Sequence, residues 1–201
     1  MASHAGAARF AYNAGLAHVK EAIDNSEPPE WSHYGLLRWW NANKDELAVN
    51  RTTGEVWWSQ NSKEAYSMAL RSLAQGLSNW SQSHKGRRVG FPKFKSKNAV
   101  MRFAYSTNFA APTAHDPYGL KLSRIGRVHC MENVYKRVSG ARLIRISVSR
   151  RAGYWYASLT VEREPTAKPA PKCGAVGVDL GVKNLATLSD GTVIPNARPG
   201  C

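Results

Sequence analysis

Asp179 lies near the end of an otherwise apolar run, Ala175 to Leu180, inside the segment AVGVDLGVKNLATLSDGTVI at 175–194. An isolated carboxylate in such a run is costly to bury, so it should face a metal, a hydrogen-bond donor or solvent at a sheet edge. A strand-borne Asp can supply one ligand to Mg²⁺ in two-metal phosphodiester cleavage. It cannot do so alone, because two divalent ions need several carboxylates from other strands. A turn-capping Asp is the plainer alternative. The same Asp-Leu-Gly pattern suits the phosphate-binding hairpin of sugar-kinase and actin-type ATPases. Those place it near the N-terminus with hundreds of residues after it, whereas 22 residues follow Asp179 here.

The second chemistry is anion binding. The stretch KGRRVGFPKFKSKN at 85–98 interleaves Lys85, Arg87, Arg88, Lys93, Lys95 and Lys97 with Phe91 and Phe94. Cations with aromatics between them suit a nucleic-acid backbone, with a ring either stacking on a base or pinning the loop. A basic linker held down by its two phenylalanines is the competing account. Farther on, Arg142, Arg145, Arg150 and Arg151 fall on the polar phase or at the ends of an alternating segment.

These bases belong to one region. Residues 84–151 hold 16 Lys and Arg against two acids, Asp116 and Glu132, while residues 1–83 hold 7 against 8 and residues 152–201 hold 5 against 4. The formal net charge of +14 over 201 residues is therefore local. Such a block attracts phosphate and repels itself without it. Hydrophobic residues make up 43%, enough for a core, and no run of 18 apolar residues exists to span a membrane. Cys130, Cys173 and Cys201 are too few and too far apart for a disulfide framework or a paired metal site. With no signal-peptide pattern at the N-terminus, a reducing cytoplasmic setting is expected.

The elements that would position these groups can be read from periodicity. Tyr12, Leu16, Val19 and Ile23 predict a helix over 7–23, and Leu36, Trp40 and Leu47 one over 32–48. Tyr66, Leu70, Leu73, Leu77 and Trp80 predict a third over 62–82, with Asn61 and Glu64 as a capping-box variant. Most of the seven tryptophans read as core or helix contacts, with base stacking open to an exposed one. From Met101 the pattern becomes strand-like. Ile144, Ile146 and Val148 alternate with polar residues, and after a turn at Arg151-Ala152-Gly153, Trp155, Ala157, Leu159 and Val161 do the same. This hairpin and the preceding strands predict a small β-barrel or curled sheet. A Pro-rich linker at 166–174 precedes a buried strand at 175–180, a strand at 185–189 and a two-residue Asp190-Gly191 hairpin. The fold class expected is α+β, divided into a helical region 1–84, a basic β region 85–165, the linker and a terminal strand unit 175–201.

Taken in order, several segments resemble one family. ARFAYNAGLAHVKEAI at 8–23, SKEAYSMALRSLAQGLSNW at 62–80, GFPKFKSKN at 90–98, ISVSRRAGYWYASLTVERE at 146–164 and VGVDLGVKNLATLSDGTVI at 176–194 are similar to TnpB, the OrfB-type protein of small insertion sequences, related to type V CRISPR effectors. The resemblance implies a helical recognition region, a β-barrel wedge domain and a RuvC-type nuclease domain of RNase H-like fold. It implies cleavage of DNA with Mg²⁺, directed by a guide RNA from the transposon end. Asp179 would be the first RuvC carboxylate and one Mg²⁺ ligand, and 85–151 would touch guide RNA and target DNA. The family's later catalytic Glu and Asp and its Cys-pair zinc ribbon have no counterpart in these 201 residues, which contain no CxxC. The expectation is thus a nucleic-acid binder, catalytically incomplete and truncated at both ends, or a decayed product without present function.

Overall fold

Small residues let the first helix begin earlier than its hydrophobic stripe. In the computed structural model, which describes residues 1–83, 86, 88–164 and 176–196, helix α1 runs Ala2–Asp24, five residues ahead of the expected start. Ala5, Ala7, Ala8 and Ala11 are buried. They add no bulk, and alanine is the best helix former, so the helix extends through them. Helices α2 (His33–Leu47) and α3 (Lys63–Gln82) follow. Leu16, Val19, Leu36, Leu70, Leu73 and Leu77 are almost wholly excluded from solvent between the three. At Gly15 a Cβ would meet the Leu70 Cδ2 at 2.8 Å, so α1 and α3 approach there on a glycine contact. The tryptophans are mostly packing groups. Trp40 stacks on Tyr66 at 5.0 Å, Trp39 on His18 at 4.5 Å, and Trp57 meets Phe10 edge-on at 5.0 Å.

The cap of α3 differs from the expected one. Ser62, not Asn61, is the N-cap, its hydroxyl accepting from the Glu64 N–H at 3.4 Å. Asn61 is occupied by Ser3, whose hydroxyl donates to it at 2.8 Å. Glu64 turns instead toward the β region, accepting from Ser106 N and Oγ at 2.9 and 3.0 Å and from Thr107 N and Oγ1 at 3.1 and 2.9 Å. Burial acts to raise its carboxyl, but these four donors outweigh it and hold the group below the usual range. One buried acid thus rivets the helices to the strands.

The strands form open sheets. β1 (Arg102–Tyr105), β5 (Arg142–Arg151) and β6 (Tyr154–Glu162) make an antiparallel sheet in the order β1-β5-β6. β2 (Phe109–Ala110), β3 (Gly119–Leu122) and β4 (Gly126–His129) make a second meander, and a short helix α4 spans Val134–Val138. The expected barrel does not close among the described residues. Four-residue β1 spans less than half of ten-residue β5, helices cover its side, and β6 is left as an edge. The expected inward phase of β5 also breaks at one point. A bulge between Leu143 and Arg145 makes Ile144 the extra residue, so Ile144 is 42% exposed while Leu143, Ile146 and Val148 face the core.

Residues 1–164 are one compact unit, and the remaining chain is a second. In that second unit β7 (Val178–Asp179), β8 (Asn184–Leu188) and β9 (Val193–Pro195) form an antiparallel three-stranded sheet. The strand expected over 175–180 is only two residues long and is not buried. Val178 is 59% exposed and Leu180 76%, because the described residues of this unit form a single small sheet with no second layer of their own. The hairpin at Asp190-Gly191 is a three-residue loop rather than two. The Gly191 N–H donates to Leu188 O at 3.0 Å, and Gly191 then takes φ +88. The linker 166–174, with Cys173, and Cys201 lie outside the described residues.

Candidate nucleic-acid interface

The basic loop is held by its backbone. Asn13 on α1 brackets Lys95, accepting from its N–H at 2.8 Å and donating to its carbonyl at 3.0 Å. One turn earlier Arg9 donates to the carbonyl of Lys97 at 3.1 Å. Between them Tyr12 presents its ring under the Lys95 ammonium at 3.6 Å. Phe91 meets Trp80 edge-on at 4.9 Å, and Trp80 in turn meets Trp31. The two motifs, one on a helix and one on a loop more than 80 residues away, are therefore a single interlocked structure.

This docking separates the candidates. Phe91 packs on Trp80 of α3 and fastens the loop, which both accounts of this stretch allow. Phe94 is 51% exposed with the Lys20 ammonium 5.1 Å from its ring centre. Arg88, Lys93 and Lys97 are exposed, and Lys95 is half-buried. Burial, with Arg102 nearby, pulls Lys95 down to about 8. Lys85 and Arg87 lie outside the described residues.

A cleft of about 480 Å³ gathers the charge. It lies among α1, α3, the loop 95–101, β1 and β5, and Arg9, Lys95, Lys97, Arg102, Arg145 and Arg151 line it with no carboxylate among its lining residues. Ser147, Ser149 and Ser158 supply hydroxyls on the same face of the sheet. Arg150 points to the opposite face, where it lies over Trp155 with 6.0 Å to the ring centre and donates to Gly153 O at 3.4 Å. It borders a shallower hollow shared with Lys97 and Arg151. The two acids of the basic region stay out of the cleft, because Asp116 pairs with Arg127 and Glu132 with Arg137. Arg9 and Arg102 were not among the expected site residues. Arg9 hides in a charge-balanced segment, and only the docking of the loop brings it to the others.

Asp179 is exposed on the edge strand β7, paired in register with Thr187. Solvent at a sheet edge is thus the environment it has. Among the described residues no three His, Cys, Asp or Glu side chains come together as a metal site. A single exposed carboxylate does not fit a two-ion centre, which needs several.

No protein-family model matches the chain. Two Mycobacterium tuberculosis proteins are each 35% identical to it over 99% of its length, and each bears the name "Putative RNA-guided DNA endonuclease". The Escherichia coli K12 protein InsQ, named likewise, is 28% identical over 96% of the chain. The chain is TnpB-like in sequence over nearly its whole length. It spans about half the length of these relatives, 48% of the first and 44% of InsQ. Within this TnpB-like chain the matched length includes the helices, the docked basic loop, the cleft and the Asp179 sheet. None of the described helices is long and apolar enough to cross a membrane.

Proposed function

We propose that residues 1–164 of this TnpB-like chain bind nucleic acid through the cleft between α1, α3 and the β1-β5-β6 sheet. The observation that carries this reading is the convergence of six cations without a carboxylate in one concave site. Basic side chains spread over a surface would be interspersed with acids. Here the region's two acids are each tied to an arginine elsewhere. The relatives' name, with its RNA guide and DNA target, supports both as partners. Asp179 would serve as the first carboxylate of a RuvC-type, RNase H-like nuclease sheet, of which β7, β8 and β9 are three strands. Mg²⁺ chemistry at that sheet requires several carboxylates brought together, and the described residues form no such group, so binding without cleavage is expected of these 201 residues.

The test is fluorescence anisotropy with labelled RNA and DNA oligonucleotides. Arg145→Glu with Arg151→Glu should weaken binding by at least tenfold, each reversal turning an attraction into a repulsion. Arg51→Glu, in an exposed turn far along the chain from these groups, should leave it within twofold. Equal effects of the two sets would reduce the cleft to general surface charge.

A further inference from the structure

The cleft opens along the sheet toward β6, and that strand carries two features the electrostatic reading leaves unused. Residues directly opposite one another in an antiparallel pair share a face. The register pairs Arg102 with Ser149, Ser149 with Tyr156, and Arg151 with Tyr154. Tyr154 and Tyr156 therefore stand on the polar face, with Arg102, Arg145, Arg151 and the cleft serines, and not on the inner face with Trp155. They are 68% and 51% exposed. Among the described residues neither ring meets another ring, and neither hydroxyl has a hydrogen-bond partner within the chain. Two large aromatic surfaces thus lie bare beside three arginines, on a strand whose outer edge pairs with none of the described strands. The acid of this face, Glu162, sits at the far end of β6, 3.6 Å from Arg142.

We infer that Tyr154 and Tyr156 are a base-stacking platform for a single-stranded segment of nucleic acid whose phosphates lie along Arg102, Arg145 and Arg151. This inference rests on the cleft reading and adds the state of the ligand: unpaired, with its bases turned onto the sheet. Residues two apart on a strand are about 6.7 Å from each other, which gives each ring room for one base. A duplex keeps its bases stacked on one another and has none to offer. An edge strand flanked by cations with rings on its polar face accepts bases of any identity, since every base has a π-face.

Anisotropy with labelled 20-nucleotide uridine and thymidine strands, a duplex of equal length and a single strand containing abasic positions tests this on the full chain. Tyr154→Ala with Tyr156→Ala should lower single-strand affinity on the order of tenfold per ring, while duplex affinity moves less than twofold. The double Tyr→Phe variant should match the parent, because the ring and not the hydroxyl does the stacking. The parent on the abasic strand should bind as weakly as the alanine variant on the intact one. Circular dichroism of the alanine variant should overlay the parent, both side chains being surface groups. The inference is overturned if the alanine variant binds the single strand like the parent, if the duplex suffers the same loss, or if the phenylalanine variant is as weak as the alanine one. Absence of any parent binding would instead sink the cleft reading itself. The uridine and thymidine arms decide whether the unpaired segment is RNA or DNA.

Discussion

Lys95 is the cation in the cleft whose charge is within reach of ordinary pH. Its ammonium sits over the Tyr12 ring, half-buried, and titrates at about 8 in the free protein. A phosphate placed against it stabilises the charged form and so raises that value in the complex. Affinity should be level below pH 7 and fall as pH rises through 8, by up to about tenfold at pH 9. Lys95→Arg, charged throughout, should flatten the profile. Anisotropy at fixed ionic strength between pH 7 and 9 reads both curves; a flat profile for the parent would remove the Lys95 ammonium from the phosphate contacts. Sequence reading found Lys95, Lys97, Arg145 and Arg151 because they lie in a block of unbalanced charge. It passed over Arg9 because charge counting is blind to a distant segment that folds back. The tyrosines of the proposed platform, Tyr154 and Tyr156, carry a sequence signal of their own, as aromatic residues on the polar phase of an alternating strand.

At the level of elements, the long hairpin β5–β6 presents most of the sheet face. Its turn is tight, with Ala152 at φ +46 and Gly153 at φ +85. Both central residues thus occupy the left-handed region that a two-residue turn of this hand requires. Glycine adopts it freely, whereas alanine is held there at a cost of about 1–2 kcal/mol. Asn at the first position of such turns is preferred. Ala152→Asn should therefore stabilise residues 1–164 by about 1 kcal/mol, raising the melting temperature by about 2–4 °C. Scanning calorimetry measures it, and an unchanged or lowered value would show that the turn is not strained. Hairpin positions were legible from alternation and Gly placement. The bulge at Ile144 was not, since one extra apolar residue in an apolar run leaves the pattern ambiguous. Helix starts were read late for α1, because alanine carries no hydrophobic periodicity although it packs closely.

For the whole molecule, charge is segregated by position in the fold as well as in the chain. Five or six phosphate contacts along the cleft would give a slope of log K against log salt of about −4 for a single strand. Raising salt fourfold should then cost on the order of 10²-fold in affinity. Asp179→Ala should leave both the affinity and the slope unchanged, because that carboxylate belongs to the other compact unit. A shallow salt response would remove electrostatics as the main source of binding. Fold class and the three helices followed from periodicity alone. The barrel did not, because closure depends on strand lengths and on what covers each edge, and neither is written in local alternation.

The Asn13 bracket has a consequence for variation. Asn13 holds Lys95 solely through the latter's N–H and C=O. Position 95 can therefore exchange its side chain and keep both of these hydrogen bonds, proline excepted, since proline has no N–H to give. Position 13 has no such freedom: its side chain must both accept and donate, which an aspartate cannot do. The anchoring residue is on the helix, far from the visible basic motif, and the residue it anchors is left open to drift with whatever anion the cleft serves.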